Sequence, residues 1–472
     1  MPDYDAVVVG SGPNGLSAAI ELARNGCSVL VIEANETLGG GVRSKETTLP
    51  GYIHDICSTA YPLVVGSPFL SKLPLDQYGL EWINPDLPMA HPLDDGTAAE
   101  MHTSVERTAN RLGIDSEAYR SLMGPFVDRA DDMAPDILAP LQIPSHPILL
   151  AQFGLRALLP ATLLANRIFK TDHAQALFSG IAAHAFMKLS RPLTAAIGMV
   201  LGIYGHRHNW PFVKGGSQNL TDAMVAYFES LGGEIQTNWR VKSLDELPTA
   251  RATLLDVTPQ QVLDLAGDRL PGSLYRRSLK RYRYNPGVFK VDWAVSDPVP
   301  WTAEAPRQAG TVHVGGTMRE IAISENMTNR GLHPEKPFVL LAQQSLFDST
   351  RAPDGNHTVW GYCHVPNGST VDMTERIEQQ IERFAPGFKE TILARSTRFT
   401  FDLEAENPNC IGGEINGGVQ DIWQHFTRPA PRWSPYRTPM DGVYICSAST
   451  PPGGGVHGMS GYHSARAVLS DL

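Results

Sequence analysis

Ala6-Val7-Val8-Val9-Gly10-Ser11-Gly12-Pro13-Asn14-Gly15 is the stretch that decides the fold of this chain. Residues 6–9 are apolar without alternation, as expected of a parallel strand buried on both faces. Leu16, Ala19, Ile20 and Ala23 then fall at i, i+3, i+4 and i+7, one face of a helix that Asn25-Gly26 ends. A second apolar run, Val29-Leu30-Val31-Ile32, leads into Glu33 and Ala34. Gly10 permits a tight turn, Gly12 lets the backbone approach a pyrophosphate, and Gly15 lets helix and strand pack closely. The helix start, at Pro13 and Asn14, offers N–H groups and a positive dipole end to phosphate. Glu33 stands 18 residues after Gly15, where a carboxylate accepts the hydroxyls of an adenosine ribose and disfavours a 2′-phosphate. Strand, glycines, helix, strand and acid in register specify a dinucleotide site.

The next stretch, Leu38-Gly39-Gly40-Gly41-Val42-Arg43-Ser44, separates FAD from NAD. It resembles the extended motif of FAD enzymes in the amine oxidase and phytoene desaturase superfamily. That resemblance implies that Gly40 and Gly41 let the backbone pass close to the cofactor. It also implies that Arg43 pairs with the pyrophosphate, for which a planar, permanently charged guanidinium is suited.

With 472 residues, 42% of them hydrophobic and 19% charged, the chain is long enough for about three domain-sized globular units. A net charge of −10 argues against a nucleic-acid partner. The five cysteines, Cys27, Cys57, Cys363, Cys410 and Cys446, show neither C-x-x-C nor metal-type spacing. They suit isolated reduced thiols, and no metal is expected. A strand beginning near Tyr4 leaves no signal peptide, so a cytoplasmic location is expected. The longest charge-free segment, 137–155, is broken by Pro140, Pro144 and Pro147, so no spanning helix is expected. Peripheral contact with a bilayer and homo-oligomer formation stay open.

Outward from the first motif, residues 1–70 begin the nucleotide domain and 71–205 suit a helical cap or substrate region. Residues 206–284 return to the nucleotide domain. There Leu220, Met224, Tyr227, Phe228 and Leu231 mark a helix face, Gly232-Gly233 stops it, and 234–237, 241–244 and 253–257 suit strands. Residues 285–405 alternate strand-like and helical runs, as in an antiparallel substrate sheet. Residues 406–472 close the nucleotide domain: a strand at 442–446, a loop, then Gly453-Gly454-Gly455-Val456-His457-Gly458-Met459 feeding a helix. Such a start directs N–H groups at an anion, and the pyrimidine edge of a reduced flavin is one.

Taken together, these three segments resemble the phytoene desaturase-like flavoproteins, a group that includes carotenoid desaturases and isomerases. The likeness is closest to the pyridine nucleotide-disulphide oxidoreductase domain-containing branch. It is carried by Asn285-Pro286-Gly287-Val288-Phe289-Lys290-Val291-Asp292-Trp293, Tyr362-Cys363-His364-Val365-Pro366-Asn367-Gly368 and the 447–458 loop, and covers nearly the whole chain. It implies an α/β fold: a Rossmann-type FAD-binding domain with a parallel sheet, a mixed or antiparallel substrate sheet, and a helical cap. It implies one non-covalent FAD touched by Gly10, Gly12, Gly15, Glu33, Arg43, Val241, Ser449, Gly458 and Met459, with Val241 meeting the adenine. The chain departs from the pattern at Ser447, where the family often has Gly, and at His54-Asp55-Ile56-Cys57, where it often has Phe-Asp-x-Gly.

Three functions compete. The first is dehydrogenation or double-bond isomerisation of an apolar, polyene or lipid-like substrate, with an apolar tunnel built from runs such as Ile148-Leu149-Leu150 and 195–201. The second is amine oxidation, with Trp293, Trp360 and Lys290 near the flavin. The third is a non-catalytic, flavin-bearing scaffold. No second nucleotide motif and no Cys pair are present, so oxygen or a quinone is the expected electron acceptor. His457, in the flavin-side loop, is the candidate acid or base, and His184, on an apolar helix, suits a satisfied core histidine.

Overall fold

The structure, a computed structural model, describes residues 2–272 and 274–472. β1 (Tyr4–Val9) and β2 (Val29–Ile32) flank α1 (Pro13–Arg24). They lie in a five-stranded parallel sheet with Glu234–Gln236 beyond β2, and Ala250–Leu255 then Val443–Ile445 beyond β1. β1 is central, which explains its unbroken apolar run. Ala6 and Val8 pack into the core under α1 and the last helix, whereas Val7 and Val9 pack into the core on the other face. Each buried Val contributes roughly 1.5–3 kcal/mol.

A second sheet of seven strands has the order Ile392–Arg398, Gly287–Val295, His357–Val365, Val339–Ala342, Ala309–Val314, Leu87–Pro92, Ala98–Met101. Its pairs are antiparallel except Ala309–Val314 with Leu87–Pro92, so the sheet is mixed. The 71–205 stretch is therefore not helical throughout. Leu87–Pro92 is wholly buried and has no alternation, and Pro88 and Pro92 interrupt the pattern that marks a strand. The rest of that stretch is mostly helical, including Pro147–Ala157, Ala161–Ile168, Asp172–Ala182 and Thr194–His208. The strand expected at 241–244 is also absent. There Ser243 Oγ accepts the Asp245 N–H and caps a single tight turn, Leu244–Glu246.

The chain ends meet where α1 packs on the helix Met459–Asp471. A Cβ at Gly461 would stand 1.8 Å from the carbonyl oxygen of Asn14, so only glycine fits that crossing.

Nucleotide domain and large sheet are tied by Arg351, which is fully buried. Its Nη1 and Nη2 donate to the two oxygens of Asp55 at 3.1 and 3.2 Å, and its Nε donates to Asp348 at 3.1 Å. Nη2 also donates to the Val213 carbonyl. Burial alone would raise the Asp55 pKa, but the Arg351 guanidinium, with Thr59 and Ser217, holds it below the usual carboxylate range. Arg351→Met should therefore lower unfolding stability by roughly 3–5 kcal/mol, because it leaves a buried carboxylate uncompensated. Guanidinium denaturation measures this, and adding Asp55→Asn should restore part of the loss.

Candidate functional site

A cavity of about 940 Å³ lies at the carboxyl ends of the parallel strands and extends under the helical cap. Gly10, Gly12, Pro13, Asn14, Glu33, Ala34, Gly40 and Gly41 border it at one end, and Val241, Ser449 and His457 border it further along. Gly15, Arg43, Gly458 and Met459 do not. Gly15 sits behind the loop, where an added Cβ would lie 2.1 Å from the Gly10 carbonyl oxygen. Gly458 (φ +68) and Met459 start the last helix.

The glycine end fits an adenine dinucleotide. A Cβ at Gly12 would come 2.7 Å from Asp256 Oδ2, so the loop has no room for a side chain. The N-terminus of α1 opens there, and its N–H groups suit phosphate charge. Asn14 Oδ1 is buried there without a hydrogen-bond partner among the described residues. Glu33 Oε2 accepts from Ser11 N–H (3.0 Å) and Oγ (2.6 Å), and Oε1 accepts from Asn35 N–H (2.9 Å) and Nδ2 (3.1 Å). All four lone-pair sites are used, so a ribose hydroxyl would replace the Ser11 hydroxyl or the Asn35 amide. FAD in this cavity would thus be held by Glu33 and by the backbone of 12–14 and 40–41.

Arg43 has a different place from the one expected. It is buried, and its guanidinium donates to the carbonyls of Gly40 (2.8 Å) and Glu406 (3.3 Å) and to Thr37 Oγ1 (3.1 Å). It fixes the second glycine loop from behind, and only that loop's backbone faces the cavity.

His457 is likewise corrected from an acid or base to a positioning group. Its Nδ1 accepts the Met459 N–H at 3.0 Å, so Nε2 carries the proton and donates to the Gly453 carbonyl at 3.2 Å. Burial lowers its pKa to about 4, which keeps the ring neutral. The ring thereby holds the flavin-side loop against the helix start. Cys57 borders the cavity, but burial pushes its thiol up to about 11. All five cysteines are free.

The expected pair of tryptophans does not form a cage. Strand alternation sends Trp293 to the opposite face from Lys290, into the core, where its Nε1 donates to Glu378 at 3.0 Å. Trp360 borders the cavity. Lys290 does not; it is paired with Asp292 and lies 5.6 Å from the Trp360 ring centre.

Three groups were not legible as site residues. His184 borders the cavity rather than the core, with its Nε2 3.1 Å from His313 Nε2 and its pKa lowered to about 3 by burial. Glu414 is buried beside the flavin-side loop, accepts the N–H groups of Asn416 and Gly418, and is pushed up to about 7 by burial. Asp256 follows Leu255, which pairs with Val9, and this register sets it against the glycine loop. Its Oδ2 accepts the Gly15 N–H at 3.0 Å, and burial, reinforced by Glu33, pushes its pKa up to about 7. The cue for Glu414 was its glycine-rich loop, and the cue for Asp256 was an acid directly after an apolar strand.

Glu33→Gln should weaken FAD binding by roughly 1–3 kcal/mol, the scale of a charge-assisted hydrogen bond. Gly12→Val should weaken it further; titration of apoprotein followed by flavin fluorescence measures both. Asp256 supplies a pH dependence whose sign follows from charge. Below pH 7 its carboxyl is neutral, and above pH 7 it adds a negative charge beside the phosphate site. FAD affinity should therefore fall from pH 6 to pH 8, by at most about tenfold per unit for one linked proton. Asp256→Asn should flatten that slope, and equal slopes in both proteins would refute the assignment.

Comparison with known proteins agrees with this geometry. The chain is 28% identical to pyridine nucleotide-disulfide oxidoreductase domain-containing protein 2 of Mus musculus, over 100% of this chain and 94% of that one. It is 24% identical to phytoene desaturase (lycopene-forming) of a Paracoccus species, over 99% and 97% of the two chains. Among solved structures, an oxidoreductase from Methanosarcina mazei superposes with a TM-score of 0.67 at 14% identity, covering 98% of this chain and 99% of that one; this shows the shared fold. The model of the family described as flavin containing amine oxidoreductase matches residues 14–269, more than half of the sequence, and the chain belongs to that family as a FAD-binding oxidoreductase.

Proposed function

We propose that the chain dehydrogenates, or shifts a double bond in, an apolar polyene or lipid-like substrate. The observation that carries this reading is the continuity of the cavity from the flavin-side loop into an apolar end under the cap. Leu150, Phe153, Ile197 and Val200 border that end. Asp136, a carboxylate on the same border, already accepts the N–H groups of Ser145 and His146. A long hydrocarbon gains about 25 cal/mol per Å² of apolar surface buried, so few polar contacts are required. Bound FAD supplies a two-electron acceptor for hydride. The residues of this chain do the rest. The cap residues hold the hydrocarbon and exclude water, and neutral His184 sits beside it without placing a charge in an apolar site. The Paracoccus relative supports the reading, since it is named for a desaturation.

The second reading, amine oxidation, draws on the family's description. The positions of Lys290 and Trp293 do not favour it, because the first is paired with Asp292 and the second lies in the core. Oxygen or a quinone would reoxidise the flavin in either case.

Anaerobic mixing in a spectrophotometer decides between them. Polyenes or alkene-like lipids should bleach the flavin absorbance, and primary amines should leave it unchanged. NADH and NADPH should also leave it oxidised on the stopped-flow timescale. Bleaching by an amine, with no response to any lipid-like compound, would overturn the proposal.

A further inference from the structure

We propose that Arg428 is the counter-cation for a negative charge of the bound FAD. Arg428 is 1% exposed and borders the cavity. Other buried cations are paired with carboxylates: Arg351 with Asp55, and Lys290 and Arg398 with Asp292. Arg428 has no such partner among the described residues. Its Nη1 donates to the carbonyl of Ala448 at 3.1 Å, and its Nη2 donates to those of Gly418 and Val419 at 3.3 and 3.0 Å. Carbonyls accept these N–H groups without cancelling the charge, and a buried charge left uncancelled is costly. Nε is buried and has no acceptor at all. Arg43, also buried without a carboxylate, differs on both counts: each of its three guanidinium nitrogens has an acceptor, and it does not border the cavity.

The missing partner is an anion, and the surroundings suit one. Asn416 Nδ2, also on the cavity border, is a second buried donor without an acceptor. Two glycines let the flavin-side loop lie against this pair. A Cβ at Gly453 (φ +116) would stand 2.6 Å from Arg428 Nη1, and one at Gly454 would stand 2.5 Å from the Asn416 carbonyl oxygen. Glu414 does not neutralise the guanidinium by an ion pair; its carboxyl accepts the N–H groups of Asn416 and Gly418 instead. Position makes the cofactor the source of the anion. Ala448, which Arg428 holds, lies between Ser447 and Ser449 in the loop after the strand Val443–Ile445, on the nucleotide domain and not on the cap, and all three residues border the cavity. FAD carries two candidate charges, its diphosphate and the pyrimidine edge of the ring once reduced. Either would find a fixed cation and a neutral amide donor here. This role rests on FAD binding alone and is independent of the substrate named above.

Three measurements test it: titration of apoprotein with FAD, competition by ADP, which has the diphosphate but no flavin, and the reduction potential of the FAD-loaded protein. They are made on the wild type, Arg428→Met, Arg428→Lys and Asn416→Asp. If the diphosphate is the anion, Arg428→Met should weaken both FAD and ADP by about tenfold or more, and Arg428→Lys should recover most of that loss. If the reduced ring is the anion, the affinities for oxidised FAD and ADP should stay near wild type. The potential of Arg428→Met should then fall by about 30 mV or more, the two-electron equivalent of a tenfold weaker hold on the reduced form. Asn416→Asp adds a negative charge and leaves the three carbonyl bonds of Arg428 in place. It should shift the same quantity in the same direction, and it carries the test if circular dichroism shows the Arg428 variants unfolded. Wild-type affinities and potential in Arg428→Met or in Asn416→Asp would overturn the proposal. So would a folded Arg428→Lys as impaired as Arg428→Met, because Arg428 would then act through its bonds to the loops and not through its charge.

Discussion

Among the glycines the tightest approach is that of Gly461 to the carbonyl oxygen of Asn14, where any side chain would bring a Cβ to 1.8 Å. Through it the first and last helices of the chain start at the same end of the parallel sheet. Of the two, the start of α1 borders the cavity and carries roughly half a unit of positive charge on its N–H groups. That start offsets part of the repulsion that a pyrophosphate meets from Glu33 and Asp256. The crossing also explains why three distant segments are needed for one domain. β1 provides the glycine turn, the strand Ala250–Leu255 places Asp256 against it, and the C-terminal segment returns to close the other side.

Legibility in the sequence followed the range of the interaction. The strand, glycine turn and helix of residues 4–24 are contiguous, so local pattern alone identifies them, and the acid at Glu33 is fixed by the short crossover between adjacent strands. The cap's apolar helices were legible for the same reason, whereas the parallel sheet and the mixed second sheet, assembled from distant segments, were legible through the family resemblance. Leu87–Pro92 was not, because its strand character comes from pairing with Ala309–Val314, more than two hundred residues away, against two prolines that speak locally for a break. Asp256 required knowledge of register, since only the alignment of Val9 with Leu255 brings its carboxyl to Gly15.

Residue type was easier to foresee than role. Arg43 is next to the glycines, but which way a guanidinium turns depends on the carbonyls within reach, and those of Gly40 and Glu406 are the nearer partners. His457 stands in the flavin-side loop as expected, yet the backbone N–H of Met459 decides its tautomer and removes it from proton transfer. In both cases a backbone group, invisible to composition, outranks the ligand-directed role that the side chain's chemistry suggests.

The cavity divides its ionisable groups by position. Asp256 and Glu414, two buried carboxyls pushed up to about 7 by burial, lie at the cofactor end and beside the flavin-side loop. Toward the cap the polar border includes a neutral imidazole, His184, and an acid already occupied by backbone N–H groups, Asp136. Hydrophobic burial is non-directional and scales with area, so the cap can select a substrate by length and width with no dedicated partner. A charged amine, in contrast, needs a carboxylate or an aromatic face placed for it. Under the proposed function, selectivity resides in side chains that take no part in holding the dinucleotide. Substitutions in the cap can alter the substrate taken while Gly12, Glu33 and Gly461 stay under the same steric and electrostatic constraint.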